Sequence, residues 1–486
     1  MGLFDRFRKK EPPKMMVRKY AGAAGGRLFN DFQTASTSAD SELETAIVSL
    51  RDRSRDLARN DPFVKRYFTL LRNNVVGDQG VTLQVKAQEN GVIDMRGNQT
   101  IEDAFKVWCK RGNCTVDGRM SFVDCQKLVV EALHRDGEVF ILKHFGKGFT
   151  HNFSIQFIEP DQIDETYNKT LPNGGSIRMG VERDQYHRPI AYYVKKDHPG
   201  DSRHASMSEK KRERIEAKNV IHIYNANRAG QTRGEPVLAP VITTIKQLNG
   251  LVEAQLVACR TGASKMGFFT SPAGDGFAAD DFEDSVPIYE VSPGTMHQLP
   301  TGVDFKSFDP QYPNEFASFH KSIMRAIAAA MGVSYNTLAN DLESTSYSSV
   351  RQGALDERDN YKNIQQFLID HFVRPVYEAW LEKLLGYNHV FLPLAKFDKF
   401  ADAATFRGRT WSWIDPVKEI SANVQALKAG VVSLQDVATY YGKDAEELLS
   451  QIAKDKELMS QYGVDYALEP YNAPMAAVTP DGENVV

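Results

Sequence analysis

Apolar residues recur at helical spacing from about residue 41: Leu43, Ile47, Leu50 and Leu57, with Arg51, Arg53, Arg55 and Arg59 between them. Ser41, with Glu44 three residues on, has the pattern of a capping box at the start of this helix. Asp61-Pro62 opens a second helix carrying Phe63, Tyr67, Leu70 and Leu71, which Val75-Val76-Gly77 ends. Val81 to Val85 alternates as a strand does. Two further helices, around Phe105-Trp108 and Phe122-Leu133, lead through a turn at Asp136-Gly137 into the strand Val139-Phe140-Ile141-Leu142. From 153 to 225 the period is two, in Phe153-Ile155-Phe157, Ile177-Met179-Val181, Ile190-Tyr192-Val194 and Val220-Ile221-Ile223. The charged run from Glu209 to Lys218 reads as a solvated surface segment.

After residue 235 the pattern changes. Pro236 to Ser264 reads as one long helical segment, reaching about 40 Å at 1.5 Å per residue. A Gly-, Pro- and Asp-rich, β-like insert spans 266–308, and a returning helix runs from about Glu315 to Met331. A polar segment, Asn336 to Ser349, precedes a third long helix from Val350 to Leu385, which Pro375 is expected to kink. Short helices follow around Val417-Leu427, Leu434-Tyr441 and Ala445-Ile452. Residues 21–40 read as linker and the tail from Tyr471 as disordered. An outgoing helix, an insert, a returning helix and a polar loop together describe an antiparallel projection from a mixed body. The fold class is α+β, largely α-helical.

Composition narrows the function classes. With 486 residues and a formal net charge of −4, the chain lacks the basic excess that tight phosphate binding requires, so any nucleic-acid contact is loose or local. The basic stretch Met1 to Tyr20 lacks an apolar core and reads as a flexible arm, solvated or touching a polyanion or neighbouring subunit, and not as a secretory signal. No apolar run reaches the roughly 20 residues of a membrane span, so no membrane partner is expected. Cys109, Cys114, Cys125 and Cys259 lack paired zinc spacing and read as reduced, buried thiols.

A search for catalytic chemistry fails at each motif. His134-Arg135-Asp136 imitates a kinase catalytic loop, but position 141 is Ile where Asn is needed. There is no Walker A loop, no G-x-S-x-G elbow and no H-E-x-x-H pair. The chain is read as a non-enzyme with no catalytic residue, metal or cofactor. The loop Asn340-Asp341-Leu342-Glu343-Ser344-Thr345-Ser346-Tyr347 contains two acidic residues and no basic one. Alone it describes either a surface loop with a Ser cap or, if many copies share an axis, a ring of negative charge and hydroxyls past which a polyanion slides.

The sequence resembles the lambda family of phage portal proteins. The matching strings run in order from Arg51-Asp52-Arg53-Ser54-Arg55-Asp56-Leu57-Ala58-Arg59-Asn60-Asp61-Pro62 through Asn74-Val75-Val76-Gly77, Asp136-Gly137-Glu138-Val139-Phe140 and Glu159-Pro160-Asp161-Gln162. They continue with Gly180-Val181-Glu182, Arg233-Gly234-Glu235-Pro236, Ile327-Ala328-Ala329-Ala330-Met331-Gly332-Val333, Ser346-Tyr347-Ser348-Ser349-Val350-Arg351 and Trp413-Ile414-Asp415-Pro416.

The resemblance implies a portal fold with wing, helical stem, small β-containing clip, tunnel loop and helical crown. The parts fall at 1–40 (basic arm), 41–233 (wing), 234–264 (stem helix), 265–310 (clip) and 311–335 (stem helix). Then come 336–350 (tunnel loop), 351–410 (long wing helix and following segment) and 411–486 (crown and tail). It also implies a homo-oligomeric ring of twelve subunits at one capsid vertex of the virion, assembled in the host cytoplasm. That ring passes double-stranded DNA, without sequence specificity, during packaging and ejection. Implied partners are the terminase large subunit, head-completion or adaptor proteins, and capsid and scaffold proteins. Docking falls to clip residues Asp275, Asp280, Asp281, Glu283, Asp284, Tyr289 and Glu290, and the terminase motor supplies ATP hydrolysis. Another virion structural protein, or a nucleic-acid-processing enzyme with an unrecognised site, are the alternatives.

Overall fold

The computed structural model describes residues 27, 31–32, 34–201, 212–263, 267–270, 304–307, 316–343, 346–411, 416–441, 443 and 445–463. Helix α1 (Ala39–Asn60) is capped by Ser38, whose hydroxyl accepts from the Ser41 amide. The cap therefore lies three residues before the expected Ser41, because Ser38 is the residue with extended backbone (φ −79°, ψ 154°). Asp61 caps α2 (Pro62–Leu71) as expected, its Oδ1 accepting from the Phe63 and Val64 amides at 2.9 Å. A π turn, Arg72–Val76, ends at Gly77 with φ 74°.

Strand β1 (Thr82–Val85), the hairpin of β2 (Gln88–Glu89) and β3 (Val92–Ile93), α3 (Met95–Trp108) and α4 (Phe122–Arg135) follow. Strand β4 (Glu138–Phe145) lies at the centre of a three-stranded antiparallel sheet, between β5 (Phe153–Ile158) and β11 (Val220–Tyr224). A five-stranded sheet holds β6 (Lys169–Thr170), β7 (Ser176–Arg178), β8 (Val181–Arg183), β9 (Pro189–Lys195) and β10 (Arg212–Glu216) in the order β10-β9-β8-β7-β6. The charged run expected to be a solvated segment thus contains an edge strand. Its alternating arginines are held by carboxylates: Arg212 pairs with Asp164, and Arg214 donates to Glu182 at 2.7 Å.

Helix α5 (Ile242–Ala263) begins six residues after Pro236, behind a 3-10 turn at Ala239–Val241. Pro236 and Pro240 lack donors and confine this stretch to turn geometry, so regular helix starts only beyond them. At 22 residues α5 is about 33 Å long. Strands β12 (Gly267–Thr270) and β13 (Asp304–Ser307) pair antiparallel beyond it, giving the insert the β content expected of it. Helix α6 (Phe316–Ala330) returns, and α7 (Tyr335–Ala339) follows. The latter converts part of the expected polar loop into a turn of helix capped by Ser334.

Helix α8 (Tyr347–Leu368), a π turn at Ile369–Val373 and α9 (Arg374–Gly386) replace the single kinked helix. Pro375 stands in the first turn of α9, where a proline costs no hydrogen bond, and the π turn before it absorbs the irregularity. Helix α10 (Phe397–Asp402), β14 (Ala404–Arg407), α11 (Pro416–Lys428), α12 (Leu434–Tyr440) and α13 (Ala445–Gln461) complete the described chain.

The main core joins distant segments through aromatic rings. Phe105 of α3 meets Trp380 of α9 at 4.9 Å between ring centroids, and Phe122 of α4 meets Phe372 at 5.4 Å. Trp108 is fully buried and donates its indole N–H to the Phe153 carbonyl at 2.9 Å. Strand β14 pairs antiparallel with β1, Thr82 opposite Arg407 and Val85 opposite Ala404. Residues 351–410 are therefore built into the same body as residues 41–233. A smaller core of Phe140, Leu142, Ile158, Ile163, Val181, Tyr192, Val194 and Val220 sits between the two larger sheets.

Candidate functional site

Two features stand out on this body: the root of the projecting helices, and the loop between α7 and α8. At the root, Glu138 opens β4 and Arg233 lies nine residues before α5, and neither retains solvent exposure. Arg233 Nη2 donates to Glu138 Oε1 at 2.6 Å, and its Nε donates to Oε2 at 2.8 Å. The remaining guanidinium donors reach the Met179 carbonyl at 2.8 Å and the Pro160 carbonyl at 3.1 Å. His222 Nε2 lies 3.1 Å from Glu138 Oε2, and Arg51 Nη2 lies 3.4 Å from Oε1. Burial alone would raise the Glu138 carboxyl, but the Arg233 charge and the His222 hydrogen bond outweigh it and hold it well below the usual range. Burial pushes the His222 imidazole down, and Glu138 offsets this only in part.

Backbone contact completes the clamp. A Cβ on Gly234 would lie 2.1 Å from the Gly137 carbonyl oxygen, and one on Gly137, at φ 89°, would lie 2.3 Å from the Glu235 carbonyl carbon. Asp40 of α1 accepts from the Thr232 amide at 2.8 Å. Residues from strings far apart in the sequence thus converge on one junction. In the sequence they carried order and spacing alone, with no sign that they meet.

From this root α5 and α6 run antiparallel. Ile245 and Leu248 near the start of α5 and Met324 and Ile327 near the end of α6 are buried with Val64 of α2. Beyond Leu248 the character of α5 changes: Leu251, Leu256 and Val257 are exposed, and so is Phe319 on α6. Among the described residues these apolar side chains have little cover from the rest of the chain.

The loop is tethered at both ends. Asn340 adopts the left-handed conformation at the end of α7 (φ 53°). Ser346 caps α8, its hydroxyl accepting from the Ser349 amide at 3.2 Å. Glu357 of α8 accepts from the Ser334 amide and from the Thr337 hydroxyl, fastening α7 to α8. Asp341 Oδ2 accepts from Lys321 Nζ at 2.8 Å and from the Tyr335 hydroxyl at 2.9 Å. These two hydrogen bonds, with a third from the Glu343 amide to Oδ1, pull the Asp341 carboxyl down to about 2. Leu342 and Glu343 are exposed. Ser344 and Thr345 lie outside the described residues, and of Tyr347 only the backbone, in the first turn of α8, is described.

The structure therefore adds a counter-charge that the loop's own sequence lacks. Lys321 and Arg325 project from α6 one turn apart, with Lys321 Nζ 5.3 Å and the Arg325 guanidinium 5.7 Å from the Tyr335 ring centre. Sequence reading missed both, because they lie ten or more residues before the loop in a helix read for its apolar spacing. The clip residues Asp275, Asp280, Asp281, Glu283, Asp284, Tyr289 and Glu290 all lie outside the described residues.

Among the described residues, Glu159, Asp161 and His198 form a group with metal-ligand composition. Arg55 Nη2 lies 2.8 Å from Asp161 and 3.5 Å from Glu159, so the protein's own guanidinium supplies the positive charge there. Cys114 and Cys125 are buried free thiols and Cys109 is half-buried, whereas Cys259 on α5 is exposed, against expectation, because its face of the helix has left the body. No described helix is long and apolar enough to cross a membrane.

Comparison with known proteins gives these features a family. Residues 25–365 match the phage portal proteins of the lambda family. The chain is 35% identical to the probable portal protein of Halomonas phage phiHAP-1, covering 98% of this chain and 93% of that one. It is 23% identical to portal protein B of Escherichia phage lambda, over 90% of each. Among solved structures it is similar to a chain in the neck of a native gene transfer agent particle computed with C12 symmetry. That match has a TM-score of 0.46 and 11% identity, covering 82% of this chain and 93% of the other. The chain belongs to the lambda family of phage portal proteins: it is a component of the virion, at the connection between head and tail.

Proposed function

We propose that copies of this chain close into a ring, twelve being the number the family implies, around a channel for double-stranded DNA. The observation that carries the reading is the projecting pair α5 and α6. Beyond Leu248 it presents Leu251, Leu256, Val257 and Phe319 to solvent in the single chain. Apolar residues distributed around a projecting helix find cover when neighbouring copies pack on both its sides, and a head-to-tail contact repeated by a fixed rotation closes into a ring.

In this reading the body of residues 41–233 and 351–410 is the wing, 234–264 and 311–335 are the stem, and 265–310 is the clip. Residues 336–350 are the tunnel loop and 411–486 the crown. The ring sits at one capsid vertex and is assembled in the host cytoplasm, with capsid and scaffold proteins around it. The clip docks the terminase large subunit during packaging and head-completion or adaptor proteins afterwards. ATP hydrolysis resides in the terminase, and this chain acts through shape and charge without catalysis.

Native mass spectrometry and negative-stain imaging of the purified chain test the reading. A large homo-oligomer with a central hole is expected. A mass near one or two chains under assembly conditions overturns it.

A further inference from the structure

The ion pair between Lys321 and Asp341 has a consequence for DNA that rests on the conduit reading. On helix α6 Met324, Ile327 and Ala328 are buried, while Lys321 is half-buried and Arg325 exposed along the edge of that buried face. One turn apart, these two cations form a short basic stripe. Tyr335 lies under both, and its hydroxyl donates to Asp341. The carboxylate thus sits where an anion would sit on this stripe, its Oδ2 held by one ammonium and one phenol and its Oδ1 by the Glu343 amide at 3.0 Å. The loop that bears it continues through exposed Leu342 and Glu343 to the Ser346 cap of α8.

We propose that Lys321, Arg325 and the Tyr335 hydroxyl form a binding site for a DNA backbone phosphate, and that Asp341 is its intramolecular occupant. A phosphodiester offers the same chemistry as the carboxylate: a single negative charge spread over oxygens that accept from an ammonium and a hydroxyl. When a phosphate takes Lys321, Asp341 leaves, and residues 341–343 lose their tether to α6. Contact with DNA and release of the loop are then one event. The carboxylate keeps the contact weak, because each phosphate must displace it. That suits a wall along which DNA slides, and it reconciles a basic stripe with the modest overall charge of the chain.

The test uses assembled rings of the full-length chain and a short DNA duplex, with binding measured over a series of salt concentrations. Asp341→Asn removes the occupant's charge and keeps its shape. It is expected to tighten duplex binding at least about threefold and to steepen the salt dependence, each added phosphate contact contributing about one unit of log–log slope. In the Lys321→Ala background the same substitution is expected to change nothing. Tyr335→Phe added to Asp341→Asn removes a donor from the vacated site and is expected to give back part of the gain in duplex affinity. Rings whose DNA affinity and salt slope are unchanged by Asp341→Asn overturn the proposal, as does a gain that persists without Lys321. If the wild-type chain forms no ring, the conduit reading falls and this one with it; if rings form and the variants are silent, only this one falls.

Discussion

Glu138 and Arg233, 95 residues apart in the chain, meet through hydrogen bonds as short as 2.6 Å with neither side chain exposed to water. One opens the central strand of the body and the other precedes the helix that leaves it. Their contact ties the segment leading into α5 to the central strand.

Breaking this pair takes from the buried Glu138 its closest counter-charge and leaves Arg51, at 3.4 Å, to offset it. Arg233→Ala is expected to lower the stability of the unassembled chain by about 3–5 kcal/mol. Denaturant unfolding of the monomer measures this. A loss below about 1 kcal/mol shows that water or rearrangement replaces Arg233.

Acid is expected to loosen the same junction. The folded-state values of Glu138 and His222 both lie below their ordinary 4.5 and 6.5. The unfolded chain therefore takes up protons first as pH falls. The contribution of each group is full above its ordinary value and is lost on going below it, from 6.5 downward for His222 and from 4.5 downward for Glu138. Unfolding free energies measured between pH 8 and pH 4 are expected to fall toward acid. Replacement by His222→Gln should flatten the part below 6.5, and an unchanged profile counts against this assignment.

The backbone approach at the root admits no side chain. Gly234→Ala is expected to cost at least about 2 kcal/mol, because the new methyl meets backbone and not a flexible side chain. Gly250→Ala on α5, where nothing lies within 4 Å, should instead raise monomer stability by about 0.5–1 kcal/mol. Thermal unfolding of the two variants side by side checks both signs.

Reversing the charge of residues 340–347, which we propose as part of the tunnel loop, tests the part proposed for them in DNA movement. The double variant Asp341→Lys, Glu343→Lys is expected to assemble into rings but to package or retain DNA poorly, because added cations hold phosphates that must slide. Packaging assays on particles carrying the variant decide it; normal packaging removes the electrostatic role.

Deleting residues 275–300 is expected to abolish docking of the terminase large subunit while the body keeps its thermal unfolding temperature. Pull-down with terminase and a thermal melt measure the two halves. Docking that survives the deletion places that surface elsewhere on the ring.

Local rules made much of this protein legible in the sequence. The Asp61-Pro62 cap, the strand at Val139–Leu142, the alternation from Phe153 to Ile223 and the outgoing and returning helices all follow from side-chain period and capping chemistry. These act over a few residues, so they can be read from a few residues. The same reading misplaced the α1 cap by three residues and missed β10 among charged residues. Choosing between Ser38 and Ser41 depends on backbone angles, and an edge strand of arginines depends on acceptors at Asp164 and Glu182 contributed by other parts of the sheet. What only the tertiary structure decided is who meets whom: Arg51, Glu138, His222 and Arg233 in one buried network, and Lys321 across from Asp341. Such pairs are set by how whole helices and strands pack, and no local pattern in the sequence encodes that distance. The loop whose acidic residues suggested a bare negative ring is, in the folded chain, half of an ion pair.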